Sequence, residues 1–162
     1  MNDRYCPECG TEMHERELEL EGAIPYCPTC EAYRFPRYNV AVSMIVVDES
    51  TGRILLLQQY GKPHWILVAG YVTKGEALEN AVVREIREET GLTVSRFHFN
   101  RTRYYEPSGT LMCNFTAFVA DASELCTNHE VDAYRWFDPE DARANIKADV
   151  AKWFLESYLD SL

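Results

Sequence analysis

Residues 70–92 read Gly70-Tyr71-Val72-Thr73-Lys74-Gly75-Glu76-Ala77-Leu78-Glu79-Asn80-Ala81-Val82-Val83-Arg84-Glu85-Ile86-Arg87-Glu88-Glu89-Thr90-Gly91-Leu92, and this stretch decides the fold. Gly75-Glu76 is expected to open a helix that runs to about Thr90, with Gly91 as its left-handed C-terminal cap. At roughly 100° per residue, Leu78, Val82, Glu85 and Glu89 share an arc about 60° wide. Leu78 and Val82 must face inward, so Glu85 and Glu89 continue the inward face. Glu76, Asn80 and Arg87 are read as its outer face, and Glu88 lies at the edge of the arc, where Arg84 can pair with it at i,i+4. Inward carboxylates repel one another and lose hydration unless a cation sits between them. Oxygen donors of this kind select magnesium or manganese. The alternative is a solvated charged face.

Outward from this helix the chain alternates strands and turns. Val40 to Val47 is a near-continuous apolar run, the mark of a strand buried on both faces. Further strands are expected at 53–59, 65–69, 93–105, 111–120 and 131–137. Leu111, Cys113, Phe115, Ala117 and Val119 fall on one face of theirs. Asp138-Pro139-Glu140-Asp141 begins a helix, and Val150, Trp153, Phe154 and Leu155 mark a last amphipathic one. Mixed strands between helices imply an α/β sandwich with a mixed sheet.

The first 35 residues have another character. Cys6-Pro7-Glu8-Cys9 and Cys27-Pro28-Thr29-Cys30 are two C-x-x-C pairs with 17 residues between them. Each pair can place two thiolates on one tetrahedral zinc, and four thiolates leave no open position, so the site reads as structural. Two disulfides or redox pairs are the alternatives. His14, between the pairs, reads as a surface residue rather than a further ligand. The chain has 162 residues, room for one ordinary domain and a small appendage. Sixteen basic against 26 acidic residues give a net charge of −10, which disfavours broad binding to a nucleic-acid backbone. Small polyphosphates stay open because bound cations invert the local sign. No apolar stretch reads as a signal peptide or membrane span, and Cys113 and Cys126 read as ordinary thiols, so a reducing cytoplasm is expected.

Gly70, Glu76 and the run Arg84-Glu85-Ile86-Arg87-Glu88-Glu89-Thr90-Gly91-Leu92 match every specified position of the Nudix box, so residues 38–160 resemble the Nudix hydrolases. The resemblance implies an α/β/α sandwich and magnesium- or manganese-dependent hydrolysis of a nucleoside diphosphate linked to another group. A closer resemblance is to the zinc-ribbon NADH pyrophosphatase branch. Its marks are the four cysteines, the pair Phe35-Pro36, and Ala69-Gly70-Tyr71-Val72 leading into the box. It implies a zinc ribbon over 1–35 and a hydrolase domain over 36–162. It also implies catalytic metal held by the Ala69 carbonyl, Glu85, Glu89 and Glu130. Two departures from the branch stand out: Thr73 replaces a usual glutamate, and Arg103 to Thr110 lacks a Trp-Pro-aromatic-Pro core.

The expected chemistry is attack of a metal-activated water on one phosphorus. Cations bridge Glu85, Glu88 and Glu89, and Glu89 is favoured as proton acceptor, then Glu88, with Glu130 an outside candidate. Arg84 orients Glu88. Phe35, Tyr71, Tyr104 and Tyr105 are candidates to stack a base or nicotinamide. An NADH- or NAD-like dinucleotide is the favoured substrate, with ADP-ribose or another nucleotide sugar as the alternative. Removal of a nucleotide cap from RNA, guided by Arg101 and Arg103, is a third reading. A nucleotide-sensing or partner-binding module is the non-enzymatic one. Ribbon-bearing relatives imply a homodimer, and no membrane partner is expected.

Overall fold

A computed structural model describes residues 4–161, and the chain divides into two compact units, Met1–Tyr38 and Asn39–Leu162. The first unit is an antiparallel sheet of β1 (His14–Leu18), β2 (Gly22–Cys27) and β3 (Ala32–Tyr33), in that order. Its first hairpin closes with Leu18 opposite Gly22, whose φ of +77° suits a residue without a side chain. Among the described residues of this unit, the buried apolar side chains are Cys6 and Cys27 alone. Tyr26 and Tyr33 meet edge to face at 5.1 Å, and Arg16 lies 4.7 Å over the Tyr26 ring, but both rings are only half-buried. Apolar burial therefore contributes little to this unit's stability.

The second unit runs β4 (Asn39–Asp48), β5 (Ile54–Gln59), β6 (Val68–Tyr71), α1 (Leu78–Thr90), β7 (Val94–Tyr105), β8 (Thr110–Val119), β9 (Val131–Phe137), α2 (Pro139–Asn145) and α3 (Asp149–Leu159). Five strands follow the order β7-β8-β4-β5-β9, and β6 joins beside β4. The β4–β8 pair is parallel and the others are antiparallel, so the sheet is mixed. The apolar run of β4 serves two cores, as a strand covered on both faces must. Val42, Met44 and Val46 join Val82 and Ile86 of α1, while Ile45 and Val47 join Phe154 and Leu155 of α3. Cys113, Phe115, Ala117 and Val119 all enter the α1-side core.

One edge of β4 changes partner along its length. Ala41 to Met44 pair with β6, whereas Val46 and Val47 pair with β5. The divergence of β5 from β6 opens the sheet at the level of Ser43 and Gly70. The third strand starts at Val68, not Trp65, because Trp65 and Ile66 make only isolated bridges, to Ile146 and Leu57. The helix starts at Leu78 rather than Gly75. Gly75 has φ of +87°, and Glu76 N–H donates to the Thr73 carbonyl at 2.9 Å, so 73–76 is a turn. Gly91 caps α1 at φ +70°, donating its N–H to the Arg87 carbonyl at 3.0 Å. No helix among the described residues is long and apolar enough to cross a membrane.

Candidate active site and cysteine cluster

The fork in β4 opens into a cavity of about 930 Å³ whose wall includes Ala69, Glu85, Glu88, Glu89 and Glu130. Helix α1 carries three of these carboxylates, and burial divides them. Glu89 is 4% exposed and Glu85 9%, whereas the Glu88 side chain is 55% exposed. The inward face of α1 therefore continues from Val82 into Glu85 and Glu89. Glu130 precedes β9, in a loop tied to the end of α1: Asn128 N–H donates to the Glu89 carbonyl at 3.3 Å, and Glu130 N–H to Asn128 Oδ1 at 2.9 Å.

Arg84 organises the rim. Its Nε and Nη2 donate to the two oxygens of Glu76 at 2.7 and 2.9 Å, and Nη2 also donates to the Tyr71 carbonyl at 3.1 Å. Its Nη1 donates to Glu85 at 2.7 Å and to Glu88 at 3.1 Å. The guanidinium thus reaches three carboxylates, a role for which its rigid fork of donors is suited. Glu76 belongs to this rim and not to an outer helix face: Arg84, with the Thr73 N–H, holds its carboxyl down to about 2. The same contacts raise Arg84 further above its ordinary value.

Glu89 has no such relief. Its Oε2 is buried without a hydrogen-bond partner. Burial first, then the charges of Glu85, Glu130 and Glu88, push its carboxyl up to about 7. The Gln59 amide lies near enough to favour ionisation, yet its Nε2 also lacks a hydrogen bond. A buried carboxylate with an empty oxygen, facing two or three like charges, fits a divalent cation of the hard, oxygen-preferring type.

Tyr71 and Tyr105 line the cavity, while Tyr104, 44% exposed on β7, is not among its lining residues. Phe35 lies in the first unit, on that unit's own cleft of about 570 Å³ with Tyr33 and Arg34. Among the lining residues that escaped the sequence reading are Gln59, Tyr60, Ser108 and Met112. A Tyr-Gly pair at a strand end was the available signal for the first two, since Asn-Gly is the usual choice there.

The four N-terminal cysteines converge, with their sulfurs all within 4.8 Å of one another. Cys6 and Cys30 are 3.9 Å apart and Cys9 and Cys27 are 3.5 Å apart, so none is a disulfide. The sulfurs cannot share charge evenly. For Cys6, burial opposes ionisation, but Arg34 and the N–H groups of Glu8 and Cys9 outweigh it and bring the thiol to about 6. Cys9 foremost, then burial, pushes Cys30 up to about 12. A four-sulfur cage with this internal repulsion fits a thiophilic cation such as zinc. His14 is exposed on β1 and outside the cluster.

Residues 37–156 match the NUDIX domain family. The chain belongs to the Nudix family. The NAD-capped RNA hydrolase NudC of Stutzerimonas stutzeri is 30% identical over 159 residues, 96% of this chain and 56% of that protein. The protein of the same name from Vibrio vulnificus is 33% identical over 140 residues, 83% of this chain and 50% of its own length. This Nudix chain thus spans about half the length of the curated relatives it matches. A crystal structure of a NUDIX hydrolase from Nitrosomonas europaea superposes with a TM-score of 0.66 at 22% identity, covering 98% of this chain and 91% of that one. The Nudix fold and the family's use of divalent metal follow from this membership.

One backbone position of the Nudix box is fixed by contact. A methyl group built on Gly70 would land inside the Glu85 carboxylate. Gly70→Ala is expected to expel Glu85, break its bond to Arg84, and lower metal-dependent turnover about 10–100-fold. A crystal structure of the variant checks this. An unmoved Glu85 beside Arg84, with the backbone yielding instead, would refute it.

Proposed function

We propose that this chain is a Nudix pyrophosphatase that splits the diphosphate of an NADH- or NAD-like dinucleotide into two mononucleotides. The observation that carries the reading is the buried Glu85–Glu89 pair facing Glu130 across one cavity that also holds Tyr71 and Tyr105. Ala69 through its carbonyl, with Glu85, Glu88, Glu89 and Glu130, would hold magnesium or manganese. When bound, the metal supplies charge neutralisation and a more acidic water. Glu89, the most deeply buried of these carboxylates, accepts the proton of the attacking water. Oxygen from water bonds to one phosphorus, and the bridging P–O bond breaks with the oxygen leaving on the other phosphate. Arg84 fixes Glu85 and Glu88 from the rim, and Tyr71 and Tyr105 pack against the substrate's rings. Cys6, Cys9, Cys27 and Cys30 would hold a structural zinc.

The names of the curated relatives favour one extension, in which the dinucleotide is the NAD cap of an RNA. The test is turnover of NADH, NAD, ADP-ribose and an NAD-capped oligonucleotide with magnesium or manganese. The reading expects mononucleotide products from NADH or NAD. Hydrolysis of ADP-ribose alone would overturn it in favour of the nucleotide-sugar alternative, and activity on none of the four would favour a sensor.

A further inference from the structure

Strand β7 carries a row of basic side chains that ends at the acidic cavity. The β7–β8 register sets Arg96, His98, Arg101 and Arg103 opposite Phe118, Thr116, Asn114 and Met112. Residues directly opposite on antiparallel strands share a face. Phe118 and Met112 pack on the core beneath α3, so the row lies on the α3 side. Strict alternation would instead have put Arg101 and Arg103 with Phe97 and Phe99, which meet Phe115 on the α1 side.

A bulge makes the difference. Phe99 pairs with Phe115 and Arg101 with Asn114, so Asn100 is the extra residue and the alternation is reset after it. Asn100 Nδ2 donates to Asn114 Oδ1 at 2.7 Å and to Thr116 Oγ1 at 3.0 Å, and neither of those residues has any exposed surface. Leaving such buried groups unpaired is costly, so the bulge is held in place from beneath.

The two re-aimed arginines meet one aromatic ring. Arg101 lies 4.8 Å and Arg103 5.2 Å from the centroid of Trp153 on α3. Contact with a ring face orients a guanidinium and leaves its N–H edge free to donate. Arg101 makes no ion pair among the described residues. Arg103 Nη2 donates to Asp149 at 3.3 Å, but the Asp149 side chain is 76% exposed, and such a surface pair is readily exchanged for another anion. In a chain with a net charge of −10, these two cations lie against the site for an anionic substrate. Asp149 lines the cavity, as do Met112, opposite Arg103, and Tyr105, the next residue of the row. Arg101 and Arg103 are about 6.6 Å apart along the strand, close to the spacing of successive phosphates in an extended single strand.

We propose that Arg101 and Arg103, stacked on Trp153, form a short phosphate-binding track that receives the RNA chain attached to a dinucleotide cap in the cavity. The track rests on the reading of the cavity as a dinucleotide site. It contacts phosphates only and is indifferent to base sequence.

The test uses the full chain and a short NAD-capped RNA with a fluorescent label at its far end. Anisotropy without added magnesium reads binding across a series of salt concentrations. Each phosphate contact to a single strand contributes about −0.7 to the slope of log K against log salt, so Arg101→Gln should make the slope shallower by about 0.7 and weaken binding at low salt about tenfold. The double variant with Arg103→Gln should lose about twice as much slope, and Arg101→Lys, which keeps the charge, should restore it. With magnesium, Arg101→Gln should turn over free NAD as wild type does, while its KM for the capped RNA rises. An unchanged slope in Arg101→Gln, or equal losses on NAD and on capped RNA, would overturn the track. If wild type hydrolyses NAD and the variants bind RNA normally, the track falls and the pyrophosphatase reading stands. If wild type hydrolyses neither substrate but the slopes change as expected, the dinucleotide reading falls and the track stands as an RNA-binding surface.

Discussion

Glu89→Gln is expected to lower kcat on the order of 10²–10⁴-fold and, in the same molecule, to raise the Tm of the metal-free protein at pH 8. Both effects come from one carboxylate. The variant keeps the volume and the helix but loses the proposed proton acceptor, so on that reading chemistry suffers while packing does not. The stability gain follows from linkage. In the folded chain the Glu89 carboxyl is pushed up to about 7 by burial and like charges, against an ordinary value of 4.5. The folded state therefore holds that proton more tightly than the unfolded state. Below pH 4.5 the carboxyl is neutral in both states and costs nothing. As pH rises towards 7 the cost of ionising it in place appears, reaching about 3 kcal/mol above that pH. The neutral amide of the variant is free of this cost. The difference in Tm should be several degrees at pH 8, nearly absent at pH 4.5, and erased when magnesium is added to wild type. Calorimetry in chelator at the two pH values checks it. An unchanged Tm at pH 8 would show that Glu89 already has a partner.

Removal of the cation from the cysteine cluster is the second large effect. Cys27→Ser, or a strong chelator, is expected to unfold residues 4–34 and leave the Nudix domain folded. The first unit buries Cys6 and Cys27 and no other apolar side chain among its described residues, so on the proposed zinc site its stability would rest on the metal. Structural zinc supplies on the order of 10 kcal/mol to such small units. Residues 39–161 keep their two cores, all of whose buried members lie within that unit. Hydrogen exchange gives the readout: amides of β1 and β2 lose protection, and those of β4 and β8 keep it. One zinc per chain should be released. Persistent protection at His14–Leu18 after its release would show that the metal is dispensable.

Much of the site was legible because a helix repeats itself. The spacing of Leu78, Val82, Glu85 and Glu89 placed two carboxylates inward, and both are buried. The β4 run was legible because a short, β-branched apolar run bounded by a turn suits a strand between two layers better than a helix. The rest depended on long-range geometry. No local pattern says that β4 trades β6 for β5 midway, although that fork opens the cavity. The i,i+4 spacing assigns Arg84 to Glu88, but its stronger partners are Glu76, eight residues earlier, and Glu85 beside it in sequence. Glu76 escaped because Gly75, at positive φ, delays the helix and turns 73–76 back on the rim. Tyr60 escaped because its turn uses a residue that turn statistics disfavour.

The overlap between residue 70 and the Glu85 carboxylate also constrains descent. A side chain at position 70 and the carboxylate of position 85 cannot occupy the same space, so a lineage that gains the first moves the second out of its place beside Arg84. A descendant with alanine or serine at position 70 would be a paralogue that has kept the architecture and left the trade. Position 70, which bears no reactive group, is the residue by which such a retired copy would be recognised.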